Sequence, residues 1–260
     1  MRITTWNVNG LRAAIKKGFE HYLDRISPDI LLLQEIRCFA DQLPDHIANP
    51  RGWHVQWHSA ERPGYAGVAI WSKWPLEDIR FGISGETHEG RVLRVQTAGL
   101  QVISVYLPSG SAGEERQQAK DSWMEMFLPW ATSIRQQTPD TVIGGDLNIA
   151  HTEKDIHNAR SNANSSGFLP HERAWFTKLL NSGWIDLVRR DLGSCQGPYS
   201  WWSNRGRARE LDRGWRIDYL LGTPEVAAHT QANSALILRE AGITVSDHAP
   251  VSIVVDDYGI

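Results

Sequence analysis

The chain has 260 residues, of which 41% are hydrophobic and 22% charged, a balance that supports a folded core and argues against disorder. Its formal net charge of -3 argues against a histone-like or tail-driven nucleic-acid binder, although it allows an enzyme with one locally basic face. No apolar run approaches the roughly 18 residues of a membrane span, no secretory leader is evident, and the two cysteines form no disulfide framework, so we expect a cytoplasmic protein with no membrane partner.

Short apolar runs of strand length recur from one end of the chain to the other. Each run is rich in leucine or β-branched residues and is bounded by Gly, Pro, Asn or Asp, which is typical of β-strands. Residues 30–33 are apolar at every position, as expected of a strand covered on both faces. The predicted strands cover residues 3–8, 29–34, 67–71, 91–95, 102–107, 141–143, 217–221 and 251–255.

Helical spacing of apolar residues appears between these runs. Residues 18–26 and 170–182 predict two helices, and residues 113–137 predict a longer one in which Pro129 is expected to end or kink the first segment. No linker or internal repeat divides the chain. We therefore expect one α/β domain across residues 1–260, in which the irregular order of the strands argues against a simple alternating barrel.

Polar residues that buried strands disfavour cluster at the ends of the predicted strands. Taken singly, each has an ordinary interpretation as a turn residue, a cap or a satisfied histidine. Six such sets in one chain favour a functional site, because function collects in loops and strand ends on a rigid scaffold. The residues are Asn7, Glu35, Tyr106, Asp146, Asn148, Asp218, Asp247 and His248.

The chemistry of this set favours metal-assisted hydrolysis. It contains four acids and two amides but no cysteine or repeated histidine pattern, so zinc fits poorly. Oxygen-rich sites suit Mg²⁺ or Mn²⁺, which share a substrate phosphate. The chain also lacks a nucleophile elbow and the glycine-rich nucleotide-binding motifs. An acid, an amide and a His–Asp pair beside a metal suit the attack of activated water on a phosphodiester.

The segments that carry these residues resemble the exonuclease III family of abasic-site endonucleases, within the endonuclease/exonuclease/phosphatase superfamily. The resemblance extends from Trp6 to Pro250 and rests on residues 6–10, 34–35, 64–69, 145–148, 214–219 and 246–250. It implies a four-layer, DNase I-like sandwich of two packed mixed β-sheets flanked by helices. It also implies a metal-dependent hydrolase of base excision repair that cuts DNA 5′ to abasic sites, leaves a 3′-hydroxyl and trims blocked 3′ ends.

The resemblance implies a metal site and a partner as well. Glu35 takes the position at which the family binds metal, with Asn7 and Asp247 near it, and the expected ion is Mg²⁺, for which Mn²⁺ can substitute. The expected substrate is double-stranded DNA with abasic sites or blocked 3′ ends, and the protein is expected to act as a monomer.

Catalytic roles follow from the same resemblance. Asp146 takes the water-activating position, and Asn148 steadies it. His248 contacts the scissile phosphate, while Asp218 holds the His248 imidazole in one tautomer. Tyr106 helps to stabilise developing negative charge. Which of Asp146, His248 and Tyr106 is the general base stays open.

Residues 186–216 predict a surface that holds DNA. This span has seven arginines against four acids, interleaved with aromatic residues, a combination typical of nucleic-acid binding. The alternative is a solvated arginine loop over buried tryptophans, with Arg216 as a structural ion-pair partner. By resemblance, Trp201 and Trp215 line a pocket that fits a base-less sugar.

Four further residues are expected to contact DNA. The loop at residues 109–113 lacks an arginine that some relatives carry to enter the minor groove, and Arg205 is expected to substitute for it in part. The remaining three match positions that contact phosphates, and without the resemblance they are ordinary exposed residues: Arg12, Lys17 and Asn162.

Two other functions stay open from the sequence. One is a non-catalytic nucleic-acid-binding regulator on the same scaffold, which would be expected to have lost the residues at the strand ends. The other keeps the chemistry and acts on phosphoinositide, sphingolipid or poly(A) RNA, although no interfacial amphipathic helix is evident. The ratio of endonuclease to exonuclease activity and the number of metals are not predicted.

Overall fold

The centre of the molecule is a pair of six-stranded β-sheets, in a computed structural model that describes residues 1–85 and 87–256. The strands of this part are β1 (Arg2–Asn7), β2 (Ile30–Gln34), β3 (His54–His58), β4 (Val68–Ser72), β5 (Glu77–Phe81), β6 (Val92–Thr97), β7 (Leu100–Tyr106), β8 (Thr141–Asp146), β9 (Ile185–Asp186), β10 (Trp201–Trp202), β11 (Gly214–Trp215), β12 (Asp218–Gly222), β13 (Leu236–Ile237) and β14 (Val251–Val254).

The helices flank the two sheets, and none of those in the described residues is long and apolar enough to cross a membrane. The helices predicted at residues 18–26 and 170–182 are confirmed. In chain order the helices are α1 (Leu11–Lys16), α2 (Phe19–Ile26), α3 (Asp45–Ala48), α4 (Glu114–Gln137), α5 (Pro170–Asn181), α6 (Leu187–Leu192), α7 (Pro224–Ala228) and α8 (Arg239–Thr244).

Both sheets are mixed, and each has one parallel pair near its centre. The first sheet has the order β13-β14-β1-β2-β4-β3, with β1 parallel to β2. The second has the order β5-β6-β7-β8-β12-β9, with β7 parallel to β8. Because the carboxyl ends of parallel strands meet at one edge of a sheet, Asn7 lies beside Gln34 and Tyr106 beside Asp146.

Apolar side chains fill three layers between these elements. In the middle layer, Leu32 of the first sheet belongs to one cluster with Val102 and Val142 of the second, and β2 packs across β7 and β8. Phe19 of α2 packs against the first sheet, and Phe127 of α4 packs against the second. Burial of this apolar surface is the main favourable term in folding. The order helix, sheet, sheet, helix confirms the predicted four-layer sandwich.

Helix α4 does not end at Pro129, where the sequence predicts an end or a kink. It continues through the proline for a total of 24 residues. The missing amide of Pro129 leaves the carbonyl of Glu125 without its helical partner. Both residues lie on the exposed face, where water can bond that carbonyl, and Phe127 and Ala131 hold the opposite face in the core.

Two glycines let β8 approach its neighbours closely enough to place Asp146 at the edge of the sheet. A Cβ atom at Gly145 would lie 1.9 Å from the carbonyl oxygen of Val105 on β7. A Cβ atom at Gly144 would lie 2.4 Å from Cδ1 of Leu32 on the facing sheet. Side chains at these positions would push β8 away from both, so the pair is needed for the packing that precedes Asp146.

A buried ion-pair network fixes the segment that leads into β12 and Asp218. Arg216 is wholly buried; its Nε donates to Asp155 Oδ1 at 2.7 Å, and its Nη2 lies 2.8 Å from Asp186 Oδ2. Burial raises the pKa of Asp155, but the guanidiniums of Arg216 and Arg189 hold it well below its usual range. The interpretation of Arg216 as a structural ion-pair partner is thereby confirmed.

Replacing Asp155 with asparagine is expected to lower the free energy of unfolding by about 3 kcal/mol, because the Arg216 charge then keeps only Asp186 as a partner in the interior. Urea unfolding at neutral pH, followed by far-ultraviolet circular dichroism, measures this change. Glu210→Gln is the matched control, since it removes the partner of Arg207 from an exposed pair and should change stability little. Equal effects of the two substitutions would contradict the prediction.

Candidate active site

A cavity of about 840 Å³ opens where the carboxyl ends of the two parallel strand pairs meet. Loops from both sheets form its walls. The residues predicted from the strand ends and from the aromatic pocket converge here, although they come from distant parts of the chain. Eight of them line the cavity: Glu35, Tyr106, Asp146, Asn148, Trp201, Trp215, Asp247 and His248.

Asn7 joins two carboxylates at the floor of the cavity. It is wholly buried, and its Nδ2 donates to Glu35 Oε1 at 2.8 Å and to Asp146 Oδ2 at 2.9 Å. Asn148 approaches Asp146 from the other side, with its backbone amide 2.8 Å from Asp146 Oδ1. The side chain of Asn148 donates to the carbonyl of Leu107 at 2.8 Å. These bonds orient the Asp146 carboxylate and leave it little freedom to rotate.

Two of these residues have backbones in the left-handed region, which residues other than glycine rarely adopt. The φ angle is 51° at Glu35 and 50° at Asn148. Bonds from the amide of Ile36 to the carbonyl of Gly67, and from the amide of Arg37 to that of Ala66, hold the turn after Glu35. Such strain persists only where the surroundings enforce it, and it concentrates at functional sites.

His248 and Asp218 form a buried pair on the opposite wall. His248 Nδ1 lies 2.9 Å from Asp218 Oδ2, which also accepts a bond from Ser200 Oγ at 2.6 Å. The other ring nitrogen, Nε2, lies 3.8 Å from Asp146 Oδ2. The pair therefore points its free nitrogen toward Asp146.

The charges of this cluster set unusual pKa values. Burial by itself lowers the pKa of His248, but the carboxylates of Asp218 and Asp146 raise it to about 10. Burial raises the pKa of Asp146 to about 7, against the opposing effect of the His248 charge. The imidazole is therefore held in its protonated form, and the raised pKa makes the Asp146 carboxylate a stronger base than an ordinary aspartate, as suits a general base.

Asp218→Asn is expected to lower the pKa of His248 well below its wild-type value, because asparagine removes the charge that most opposes the effect of burial. In the metal-free wild-type protein, the imidazolium should persist until the pH rises toward the folded pKa. In the variant, it should already be neutral at pH 8. Nitrogen-15 NMR of the ring measures the protonation state, with the other histidines as internal references. An imidazolium signal from the variant at pH 8 would contradict this assignment.

Tyr106, at the end of β7, lies beside the two acids. Burial raises the pKa of the phenol well above its usual value, and the charges of Glu35 and Asp146 raise it further. The guanidinium of Arg91 acts in the opposite sense and lies 5.0 Å from the centre of the Tyr106 ring. The phenol is therefore a hydrogen-bond donor at neutral pH.

Two carboxylates and an imidazole meet in the described part of the chain, and the carboxylates are the groups that could hold a metal ion, because the protonated imidazole of His248 has no free lone pair. One ligand atom from each of Glu35, Asp146 and His248 lies within 4.8 Å of the others. Two carboxylates without a thiolate fit a hard divalent cation. Asp247, predicted beside the metal, lies outside this trio; its carboxylate accepts bonds from Asn9 Nδ2 at 2.7 Å and Trp201 Nε1 at 3.1 Å.

An apolar wall faces the acids. The rings of Trp201 and Trp215 meet edge to face at a centroid distance of 5.8 Å, and they pack on buried Phe168 and Ile217. The Trp201 ring also lies 6.4 Å from the His248 ring. The cavity thus combines a charged half with an aromatic half, and both belong to one opening.

The structure does not bring the other predicted DNA contacts into the cavity. Arg12, Lys17 and Arg205 are exposed and lie outside its lining. The Asn162 amide instead donates to the carbonyls of His157 and Asn158 within its own loop. Its neighbours line the cavity in its place: Asn164, Ser165 and Ser166.

Sequence reasoning did not single out some residues of the site. Arg37 lines the cavity and forms an ion pair with Glu35. Asn9 lines it as well, and Ser200 supports Asp218 from below. The position of Arg37 two residues after a strand-end acid is a signal that could have revealed it. A serine before a tryptophan pair carries no such signal.

Comparisons of the sequence and of the structure with known proteins point to the same family. A sequence profile described as the Endonuclease/Exonuclease/phosphatase family matches residues 4–248. An Exodeoxyribonuclease from Bacillus subtilis is 36% identical over 259 residues, which cover 98% of this chain and 100% of that protein. A structure of the 3′ phosphatase NExo from Neisseria, bound to product DNA hairpin, matches at a TM-score of 0.90 and 30% identity and covers 98% and 99% of the two chains. An AP endonuclease from Archaeoglobus fulgidus matches at a TM-score of 0.86 and 31% identity, with coverage of 98% and 99%.

Proposed function

The chain belongs to the Endonuclease/Exonuclease/phosphatase family, and from this membership we propose how its cavity performs the family's reaction on DNA. The protein is a DNA-repair nuclease. It hydrolyses the phosphodiester 5′ to an abasic site, leaves a 3′-hydroxyl and trims 3′ ends, as a class II AP endonuclease of the exodeoxyribonuclease III type. Relatives named as an exodeoxyribonuclease, a 3′ phosphatase and an AP endonuclease support this assignment.

The observation that carries the proposal is the meeting of an acidic cluster and an aromatic wall in one cavity. Glu35, Asp146 and His248 converge within 4.8 Å, and Trp201 and Trp215 line the same opening. A hydrolytic centre beside a sugar-sized apolar wall suits a nucleotide that has lost its base, because such a sugar can enter where a complete nucleotide would have to be unstacked.

The enzyme is metal-dependent, as its family is, and the ion is proposed to be Mg²⁺, for which Mn²⁺ substitutes. Glu35 would hold it, with Asn7 and Asp247 near it, while Asn7 also bonds the Asp146 carboxylate, which stays available to accept a proton. Bound there, the ion would polarise the phosphate and favour ionisation of water. The carboxylate-rich donor set of the cavity supports this choice over a thiolate-binding metal.

The chain's own residues divide the remaining work. Asp146 takes the proton of the attacking water, whose oxygen forms the new bond to phosphorus as the bond to the 3′ oxygen breaks. The 3′ oxygen leaves with the electron pair of that bond and takes a proton from solvent water to become the 3′-hydroxyl. His248, held protonated by Asp218, donates a hydrogen bond to the phosphate. Tyr106 donates to developing negative charge, and Asn148 keeps the Asp146 carboxylate in place.

Substrate binding is proposed to extend beyond the cavity. Trp201 and Trp215 would contact the abasic sugar, while Arg12, Lys17 and Arg205 contact backbone phosphates from exposed positions. Asn162 would contact phosphate only if it released its loop bonds. The chain is proposed to act as a monomer, with residues 1–260 forming one catalytic domain.

The test uses three duplexes with the purified protein: one with a single abasic site, one with a 3′-phosphate at a nick, and one undamaged. With Mg²⁺, we expect incision of the first, phosphate removal from the second and much slower attack on the third; with EDTA, none. DNA binding without hydrolysis of any duplex would favour a regulator. Hydrolysis of a phosphoinositide but of none of the duplexes would favour a lipid substrate.

Incision by subsaturating enzyme is also expected to fall steeply as the salt concentration rises. Binding releases cations from the DNA backbone, and the free energy gained from that release becomes smaller as the salt concentration rises. The slope of log kcat/KM against log salt concentration, measured from 50 to 200 mM, tests this. A flat slope would indicate that the exposed arginines and lysine do not neutralise phosphates.

A further inference from the structure

A buried ion pair lies behind the cavity and joins its two supporting helices. Lys120 of α4 and Glu172 of α5 are both wholly buried, and Lys120 Nζ lies 2.6 Å from Glu172 Oε1. Neither side chain lines the cavity. Lysine and glutamate are almost never fully buried unless they are paired, and a buried pair often adds little net stability. The other hydrogen bonds of Lys120 and Glu172 indicate what the pair does.

On one side, the pair holds the backbone of a catalytic segment. Lys120 Nζ donates a second bond, of 2.9 Å, to the carbonyl oxygen of Asn148. The amide of the same Asn148 bonds Asp146. Lys120 thus contacts the strained turn that orients the proposed general base.

On the other side, the pair holds the loop that forms one edge of the pocket. Glu172 Oε2 accepts the backbone amides of Gly167 at 2.7 Å and Leu169 at 2.9 Å, and both residues line the cavity. A Cβ atom at Gly167 would lie 3.0 Å from Cζ3 of Trp215 and 2.9 Å from the Asn148 carbonyl oxygen. The loop is therefore packed directly against the tryptophan wall, at a position that Glu172 sets.

We propose that Lys120 and Glu172 act as positioning residues that hold the pocket edge against Trp215 and so make the enzyme selective for an internal abasic sugar. The proposal rests on the proposed function, since it concerns how one of its two substrates is recognised. The pair itself touches no substrate. Its effect is carried by the backbone of residues 148 and 167–169.

The two substrates of the enzyme differ in whether they contact the pocket edge at residues 167–169. In both, water adds to phosphorus, the bond to the 3′ oxygen breaks and a 3′-hydroxyl remains. At an internal abasic site the phosphate also carries the sugar, which must occupy the cavity that Gly167, Leu169 and Trp215 line together. A terminal 3′-phosphate carries nothing on that side. A displaced edge should therefore slow incision much more than phosphate removal.

Glu172→Gln tests the proposal, because Glu172 accepts the loop amides, whereas Lys120 also bonds the Asn148 carbonyl beside Asp146, which both substrates need. An amide has one acceptor oxygen in place of two, so glutamine cannot serve Lys120 and both loop amides at once. We expect kcat/KM on the abasic duplex to fall by about 10- to 100-fold, the effect of a misplacement of about 1 Å. Removal of the 3′-phosphate should fall by less than about threefold, since the catalytic groups stay in reach.

Two controls separate positioning from loss of stability. Leu179→Ala destabilises α5 from a wholly buried position without touching the loop, and it should leave the ratio of the two activities unchanged. The double variant Lys120→Met with Glu172→Leu replaces both charges with apolar groups, so its stability should recover, while the ratio stays low because the loop amides still lack their acceptor. Hydrogen exchange at the amides of Gly167 and Leu169 should accelerate in the double variant.

The outcomes distinguish this inference from the function on which it rests. Equal losses on both substrates, or a ratio that recovers in the double variant, would overturn the positioning role while leaving the function intact. A wild-type enzyme that removed the 3′-phosphate but left the abasic duplex uncut would overturn the proposed incision, and the selectivity with it.

Discussion

Replacing Asp146 with asparagine is expected to reduce incision of an abasic duplex by about 10²- to 10⁴-fold, the range that a general base contributes. Asparagine keeps the shape of the side chain, so its bonds with Asn7 and the amide of Asn148 can in part survive. It cannot take a proton from water at neutral pH, whereas the wild-type carboxyl has its pKa raised to about 7 by burial. The loss should therefore fall on kcat and leave affinity for DNA largely intact.

Single-turnover cleavage of a fluorescent abasic duplex measures the rate, and fluorescence anisotropy without metal measures binding. Asp24→Asn, on the exposed face of α2, is a matched control and should cut at the wild-type rate. His248→Ala should behave like the Asp146 variant, because it removes the donor that faces the phosphate. Incision by either active-site variant at the wild-type rate would refute the proposed roles.

The second large effect is expected at Glu35. Substitution with glutamine removes the carboxylate that is proposed to hold the metal and leaves Arg37 without its ionic partner. The Mg²⁺ concentration that gives half-maximal incision should rise by about 10- to 100-fold, the range seen when groups supporting a metal are changed. Saturating Mg²⁺ should restore part of the rate.

Calorimetric titration of the DNA-free protein with Mn²⁺ provides a readout independent of activity, and the affinity should fall in parallel. Glu77→Gln, on the exposed strand β5, controls for the loss of one acidic charge and should change neither quantity. Unchanged metal dependence in the Glu35 variant, together with a normal calorimetric isotherm, would show that the ion binds elsewhere.

Sequence patterns predicted those strands and helices whose local pattern of apolar residues is enough to specify them. Fully apolar runs such as residues 30–33 became central strands, because such runs must be covered on both faces. Strand β5 was not predicted, because it is exposed at all five residues and exists through pairing with β6. Pairing of that kind is a property of the assembled sheet and leaves no local pattern.

The candidate site divides in the same way. Strand-end acids such as Glu35 and Asp146 break an apolar pattern, so their sequence context alone marks them. Lys120 and Glu172 lie in helices rich in polar residues, where they look like two more solvated charges, and only the packing of α4 on α5 buries them. The contact predicted for Asn162 stays a prediction: its loop borders the cavity, and its amide bonds carbonyls of that loop, an arrangement that the sequence does not reveal.

The floor of the cavity spans both β-sheets, since Asn7 ends a strand of one and Asp146 ends a strand of the other. Their 2.9 Å bond lasts only while the two sheets keep their mutual alignment. A small shift of one sheet along the apolar interface would separate the two side chains without breaking any backbone hydrogen bond within either sheet. Turnover is therefore expected to vanish at urea concentrations at which circular dichroism still reports full secondary structure. Catalytic activity is thus a more sensitive measure of the alignment of the two sheets than circular dichroism.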